Sequence, residues 1–432
     1  MIVICIIGLL LIPNLAINIE ASTIKVDNIG STEKKDWTII VYMCGDNDLE
    51  HNIEKSLNWL EWTGTNEDIN IVAQVDYYTE FLNIVKRYEI QYDTNYDNLY
   101  DYTKNVNMWE LDEQNTGDPQ TLINFAKWSI DNYPAERYCL ILWGHGNGWQ
   151  GFLRDDTPLD DLKMDEFKQA MTSIKNHIGK KIDIVSFETC LLSMIEVYYQ
   201  IRGTVDICVG SEDFVYGSGF PYHMIYPDLK ENPQMSTEEL AINIIDAYEN
   251  YHSSSSMALG AFYADKIEEL VEGEFLIFAQ KLTEYHSIFK ERFNEAIGDT
   301  ESFDIEPYII THFKDLYDFA YEVKYQMRYV GVENKDKADE MELLAQDLMN
   351  SIEDATIYTV ENKKSDAKGL SIYIPNNRNN YDTRYKNIDL CIYTKWDNFI
   401  DLHLPRTIYL RTMLSNFQIL QKLFNRFTSL FC

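Results

Sequence analysis

A histidine and a cysteine, each standing where an apolar run ends abruptly, are the residues of this chain best suited to nucleophilic chemistry. The first lies in Ile141-Leu-Trp-Gly-His145-Gly-Asn-Gly-Trp149, an apolar run closed by a glycine-rich turn. The second lies in Ile184-Val-Ser-Phe-Glu188-Thr-Cys190-Leu-Leu192, where another apolar run meets a sharp turn. A thiolate attacking a carbonyl needs a base to take its proton and amide donors for the oxyanion that forms, and these two segments offer all three. Taken singly, each residue has an ordinary explanation, as a buried cysteine after a strand or a histidine capping a turn. Taken together they form the pair a nucleophile–base dyad needs, which packing alone does not demand.

Other chemistries find little support. His51, His177, His223, His252, His286, His312 and His403 occur singly, with no H-x-x-H or H-E-x-x-H spacing, so a metallopeptidase is disfavoured and no metal site is indicated by motif. No phosphate-binding G-x-x-x-x-G-K-[ST] loop, no strand-linked G-x-G-x-x-G and no G-x-S-x-G is present. The seven cysteines form no C-x-x-C pair, which argues against a disulfide framework or a zinc finger. Cys44, Cys139 and Cys208 sit in or beside apolar runs and read as small buried hydrophobes.

The elements that must position the pair follow from periodicity. From Asp36 onward, short apolar runs alternate with helical patterns, the mark of strands joined by crossover helices and so of an α/β fold with a mainly parallel sheet. Residues 37–43, 69–75, 138–143, 182–187 and 205–209 read as buried strands. Asp118-Pro119, followed by Leu122, Phe125, Ala126, Ser129 and Ile130, reads as a capped amphipathic helix feeding the 138–143 strand. Ligands of open α/β sheets bind outside the carboxyl ends of strands, which is where His145 and Cys190 would stand. A helix beginning at Cys190, with Leu191, Leu192, Ile195 and Tyr199 on its apolar face, would lower the thiol pKa. Beyond Met257 long helices dominate, at 266–296, 308–327 and 337–354, with one further strand at 369–374.

The organisation expected is a leader at 1–21, a catalytic α/β domain at 36–265, a helix-rich C-terminal subdomain at 266–404 and a basic amphipathic tail at 405–432. Ile2 to Ala16 is nearly all apolar, too short for a comfortable membrane span, and is followed by the small residues of a cleavage site; it resembles a signal peptide, which points to a secreted or cell-surface protein. The tail carries Arg406, Arg411, Lys422 and Arg426 and no acid, so it can dock on the acidic body of the chain or lie on a membrane. The 432 residues are 45% hydrophobic, enough for a large core, and the net charge of −33 repels nucleic acid; the acidic surplus reads either as attraction for basic peptides or as a solvated surface that aids solubility.

The segments around His145 and Cys190 resemble the His-Gly and Asp-x-Cys motifs of the clostripain-like cysteine peptidases, relatives of caspases, legumains and gingipains. Thr38 to Asp48, Gly117 to Trp149, Gly369 to Pro375 and Thr394 to Leu404 carry the likeness over most of residues 36–404. The resemblance implies a caspase-like α/β/α sandwich and a cysteine endopeptidase. In it Cys190 attacks, His145 acts as base and then acid, the backbone amides of Gly146 and Cys190 hold the oxyanion, and no third member of the dyad is required.

The resemblance also implies cleavage after Arg or Lys, paired by an acid two positions before the nucleophile. Here that acid is Glu188, one methylene longer than the family's Asp, with helix capping as its other reading. Glu212 and Asp213, at the end of the next strand, are candidates for the same pocket or plain turn residues, and the glycines of Tyr216-Gly-Ser-Gly219 suggest a loop bordering the cleft. Family members can be cut between His and Cys; in Gly151 to Asp165 the basic residues are Arg154 and Lys163. Some relatives use calcium. No cofactor is required by this reading, and Asp155, Asp156, Asp160 and Asp161 form a possible calcium cluster or a solvated loop. Two other functions stay open: an enzyme of changed pocket that cleaves after an uncharged residue or ligates peptides, and a surface protein that binds without catalysis.

Overall fold

The computed structural model describes residues 34–78, 84–93, 107–303, 312–364 and 366–404. The expected leader at 1–21 and the tail at 405–432 lie outside them. Thirteen strands form among the described residues: β1 Lys35–Gly45, β2 Ile69–Tyr77, β3 Ile84–Glu89, β4 Asn107–Leu111, β5 Ala135–Trp143, β6 Phe152–Asp156, β7 Leu159–Leu162, β8 Ile182–Glu188, β9 Val205–Ser211, β10 Met257–Tyr263, β11 Phe313–Asp315, β12 Thr356–Asn362 and β13 Ser371–Tyr373. Nine of them make one sheet in the order β12-β10-β9-β8-β5-β1-β2-β3-β4.

The five runs expected as buried strands are β1, β2, β5, β8 and β9, and they pair in parallel at the centre of the sheet. Their sequences are apolar on both faces because helices cover both faces. Along β1, Ile40, Tyr42 and Cys44 pack toward the helices Pro119–Asn132 and Met164–Ile178. The alternate residues Ile39, Val41 and Met43 pack toward Glu50–Glu61, Tyr222–Glu231 and Thr237–Tyr251. Each such side chain contributes about 1.5–3 kcal/mol by leaving water, so the central strands carry much of the stability. The helix Pro119–Asn132 begins as its sequence requires, with Pro119 in the first turn and the Asp118 carboxylate accepting from the Gln120 amide at 2.7 Å.

The antiparallel flanks were not legible. β3 and β4 extend one edge, and β10 and β12 the other. Because β12 follows the helix Lys335–Ala355, the helix-rich half returns to complete the sheet of the first half. The same half is tied to the cysteine turn: the Ser371 amide donates to the Ser193 carbonyl at 2.9 Å. The expected helix 308–327 starts at Leu316 instead, because Phe313–Asp315 pairs with β13 and the Asp315 carboxylate caps the helix at the Asp318 amide, 2.6 Å away. The expected helix 266–296 is divided by a π-turn at Val271–Phe275. Gly151 to Asp165, expected as a loop, contains the β6–β7 hairpin.

Candidate active site

Register decides where the two reactive residues stand. Trp143, the last residue of β5, lies opposite Glu188, the last residue of β8, and opposite Met43 of β1. Two residues beyond Trp143 is His145, and two beyond Glu188 is Cys190. They therefore leave neighbouring parallel strands at one level of the sheet edge, and both line a cleft of about 110 Å³ with Glu188, Trp143, Tyr216 and Gly219. Gly217 lines it as well, so the glycine loop borders the cleft as expected.

The backbone at this edge is packed closely enough to require glycine. A Cβ on Gly146 would sit 2.2 Å from the Cys190 carbonyl oxygen and 3.0 Å from the Cys190 nitrogen. The main chains of Gly146 and Cys190 thus run side by side. Leu153 closes the histidine turn from the other side, its amide donating to the His145 carbonyl at 2.8 Å.

The helix expected at Cys190 does not start there. The Leu191 amide donates to the Asp213 carbonyl at 3.2 Å and the Ser193 amide to the Ser211 carbonyl at 3.0 Å, so the segment runs beside the end of β9. Leu191 takes a left-handed φ of 65°, and the helix begins only at Ile195. A helix N-terminus therefore does not activate the thiol. Burial raises the Cys190 pKa above its ordinary value, the Val215 amide, 3.3 Å from Sγ, opposes this, and the Asp213 charge adds to it.

The sign gives a test. The resting thiol is neutral, so alkylation of Cys190 by iodoacetamide should follow a pH curve whose midpoint lies above the ordinary thiol value of 9.0. A midpoint below that value, followed by mass spectrometry of the modified peptide, would contradict the burial argument.

His145 has a partner that the sequence did not reveal. Its Nε2 lies 2.6 Å from Oδ1 of Asp48, and this hydrogen bond is the main reason the Asp48 pKa is lowered. Asp48 follows the end of β1, the strand next to β5, so the acidic turn closing that strand was the available signal. Asn47 holds this turn, its side-chain amide donating to the carbonyls of Cys44 at 3.0 Å and Arg154 at 2.7 Å.

The three acids expected around a basic side chain part company. Glu188 is 3% exposed and reaches the cleft wall; Oε1 accepts from the Phe220 amide at 2.7 Å and Oε2 from the Tyr222 hydroxyl. Burial pushes its pKa up to about 8 against those two hydrogen bonds. Its alternative role as a cap is removed, since no helix follows directly. Glu212 turns away, its Oε2 accepting from the Gly369 amide at 2.7 Å. Asp213 is consumed by its surroundings, with the Phe214 amide on Oδ1 at 2.8 Å and the Ser256 hydroxyl on Oδ2 at 2.7 Å. Neither lines the cleft.

Both basic residues of Gly151 to Asp165 are held in ordered structure. The Arg154 carbonyl accepts from Asn47 and from the Cys44 thiol at 3.0 Å, while its side chain pairs with Asp156 at 2.7 Å. The Lys163 carbonyl accepts from the Phe167 amide at 2.8 Å, and its ammonium pairs with Asp161. Cleavage at either bond requires local opening. The acidic stretch does not converge either: Asp155 is buried, whereas Asp160 accepts from Asn115 at 2.7 Å and Asp156 and Asp161 hold these cations. Cys44, Cys139, Cys208 and Cys391 are buried free thiols, as expected for the first three.

Residues 41–403 match the clostripain family. Clostripain of Hathewaya histolytica is 24% identical over 436 residues, spanning 87% of this chain and 82% of its own. Among solved structures, iotapain, a secreted C11 cysteine protease from Bacteroides thetaiotaomicron, superposes with a TM-score of 0.62 at 13% identity, over 84% of this chain and 99% of that one. An inactive zymogen C11 protease from Parabacteroides distasonis does so with a TM-score of 0.60 at 18% identity, again over 84% and 99%. The caspase-like α/β architecture is shared with them. A family match across nearly the whole described chain, with cysteine and histidine at one sheet edge, leads to one assignment: the chain belongs to the clostripain family and is a cysteine-type endopeptidase.

Proposed function

We propose that Cys190 is the nucleophile and His145 its general base, and that the enzyme cleaves peptide bonds after Arg or Lys. The observation that carries this is the register pairing of Trp143 with Glu188, from which the two side chains enter one cleft. With Asp48 accepting from Nε2–H, Nδ1 of His145 is the basic nitrogen. His145 takes the Cys190 proton, sulfur adds to the scissile carbonyl, and the amides of Gly146 and Cys190 hold the oxyanion. Collapse breaks the C–N bond, His145 returns the proton to the leaving amine, and water then hydrolyses the thioester with His145 again as base.

Glu188 is the specificity residue of this reading. At neutral pH its raised pKa keeps it largely protonated, so binding a cationic side chain must expel its proton, at a cost approaching tenfold in affinity per pH unit below about 8. The ratio of kcat/KM for an Arg peptide to that for a matched Asn peptide should therefore rise with pH and level off near that value, since the Cys190 ionisation cancels in the ratio. Glu188→Gln should lower the Arg-peptide kcat/KM about 10- to 100-fold, the magnitude of a lost charge-assisted contact, and flatten the ratio. The same shielding by Phe220 and Tyr222 favours a second reading, cleavage after an uncharged residue. Faster turnover of the Asn peptide, unchanged in Glu188→Gln, would establish that reading in place of the first.

Export is also part of the proposal. It rests on the apolar segment from Ile2 to Ala16, and a mature N-terminus between Ala16 and Ser22 is the expected result of sequencing the exported chain. In the family's manner, Arg154 and Lys163 are the proposed processing positions, reached when the β6–β7 hairpin opens.

A further inference from the structure

The cleft has a wall that the chemistry at Cys190 and Glu188 does not use. Tyr216 lines it and is 41% exposed. Exposure alone says little, because Tyr251, Tyr321 and Tyr393 are about as open. What sets Tyr216 apart is how firmly it is held. Its amide donates to the Tyr248 hydroxyl at 3.2 Å, and its carbonyl accepts from the Gly219 amide at 2.7 Å. One face of its ring stacks on His252, with centroids 5.2 Å apart and planes 18° from parallel.

His252, just past the helix Thr237–Tyr251, is itself fixed. It is buried, packs against Tyr248 and Tyr251 at centroid distances of 4.4 and 4.9 Å, and donates from Nε2 to the Gly219 carbonyl at 3.2 Å. The turn from Tyr216 to Gly219 is therefore fastened to that helix at both ends. The main-chain groups of Tyr216 are spent inside the protein, so what this residue offers a substrate is the open face of its ring. A ring already stacked on one side and held by its backbone loses little freedom when something covers the other side.

Topology says which part of a substrate meets it. Strands β9, β8 and β5 lie side by side in the sheet. Tyr216 belongs to the loop after β9, Cys190 follows β8 and His145 follows β5. The nucleophile thus stands between the base and the tyrosine. His145 returns the proton to the departing amine, so the leaving half of the substrate lies toward β5. The acyl half, with the residue that precedes the scissile one, lies toward β9. The Val215 amide, 3.3 Å from Sγ of Cys190, puts Tyr216 one residue along the chain from the attacking atom.

We propose that Tyr216 is a specificity residue, its ring receiving an aromatic or large apolar side chain from the substrate residue immediately before the scissile one, and that His252 is its positioning residue. The proposal rests on Cys190 as nucleophile and His145 as the acid that releases the amine. It does not depend on whether Glu188 selects a charged or an uncharged residue.

The test is kcat/KM for peptides that differ only before the scissile residue, Phe against Gly, each made with Arg and with Asn as the scissile residue. The parent enzyme should favour Phe about tenfold, the size of one aromatic contact and the area it covers, and chiefly through KM. Tyr216→Ala should bring the ratio near one, and Tyr216→Phe should keep it. His252→Ala should lower the ratio and His252→Phe, which restores a stacking partner, should recover it; a purely structural role for His252 would alter Tm without this rescue. Tyr321→Ala, comparably exposed and outside the cleft, should change neither ratio nor Tm by much. A parent ratio near one would overturn the proposal, as would a ratio that survives Tyr216→Ala, or a stronger preference for Arg than for Phe at this position, the mark of a cation on the ring. Failure of the underlying reading looks different: hydrolysis of these peptides would persist in Cys190→Ala.

Discussion

Cys190→Ala is expected to keep the fold and reduce peptide hydrolysis by about 10⁴- to 10⁶-fold, the loss seen when a covalent nucleophile is removed while binding and the oxyanion donors remain. The fold should survive because Cys190 is only partly buried and alanine keeps its β-carbon; the hydrogen bond its sulfur loses is the one it accepts from the Val215 amide, worth about 1 kcal/mol. Tm should fall by no more than a few degrees. Covalent labelling by an electrophilic Arg or Lys peptide ketone should vanish with activity. Residual turnover above about one per cent of the parent would place the nucleophile elsewhere. The other described cysteines are poor replacements, because Cys44, Cys139, Cys208 and Cys391 are buried and burial raises the pKa of each.

Gly146→Ala carries the second large effect, and it tests the backbone instead of the side chains. The added methyl would sit 2.2 Å from the Cys190 carbonyl oxygen and 2.5 Å from a Leu192 methyl, so one of the two adjoining main chains must move. Movement separates the amides of Gly146 and Cys190, the proposed oxyanion donors. Losing such a donor costs about 10²- to 10³-fold in kcat. KM should change far less, since substrate binding precedes oxyanion formation. Gly179→Ala is the control. Gly179 has a positive φ, 79°, and no atom lies within 4 Å of its added methyl, so backbone strain of about 1 kcal/mol should lower Tm and leave kcat unchanged. Equal kcat losses in the two variants would mean that global destabilisation, not the oxyanion site, explains the effect.

How far the primary structure reaches depends on the range of the interactions concerned. The parallel core was legible because β1, β5 and β8 are dominated by apolar residues on both faces, a pattern tolerated only when both faces of a strand are covered. The cap at Asp118 was legible because donor and acceptor lie two residues apart. His145 and Cys190 could be singled out because each follows such a run directly.

Features set by partners remote in the chain were not legible. The edge strands β3, β4 and β12 are short and half polar, and take their conformation from the neighbours they pair with. The turn at Cys190 has helix-compatible residues, yet its amides are claimed by the Ser211 and Asp213 carbonyls. Glu188, Glu212 and Asp213 look equivalent as acids after apolar strands. One faces the cleft, one is spent on Gly369, and one on Phe214 and Ser256.

A group of four acids is the clearest division. Asp46, Asp76, Glu113 and Asp155 each bring a carboxylate oxygen within 4.8 Å of the others, yet they are separated by dozens of residues, and no spacing motif joins them. Local pattern pointed to the parallel core strands, the α/β class and the two candidate reactive residues, because periodicity and turn chemistry act within a few positions. The level of the strand ends, the orientation of each acid and the meeting of these four carboxylates belong to tertiary structure, because only long-range packing brings such groups within ångströms.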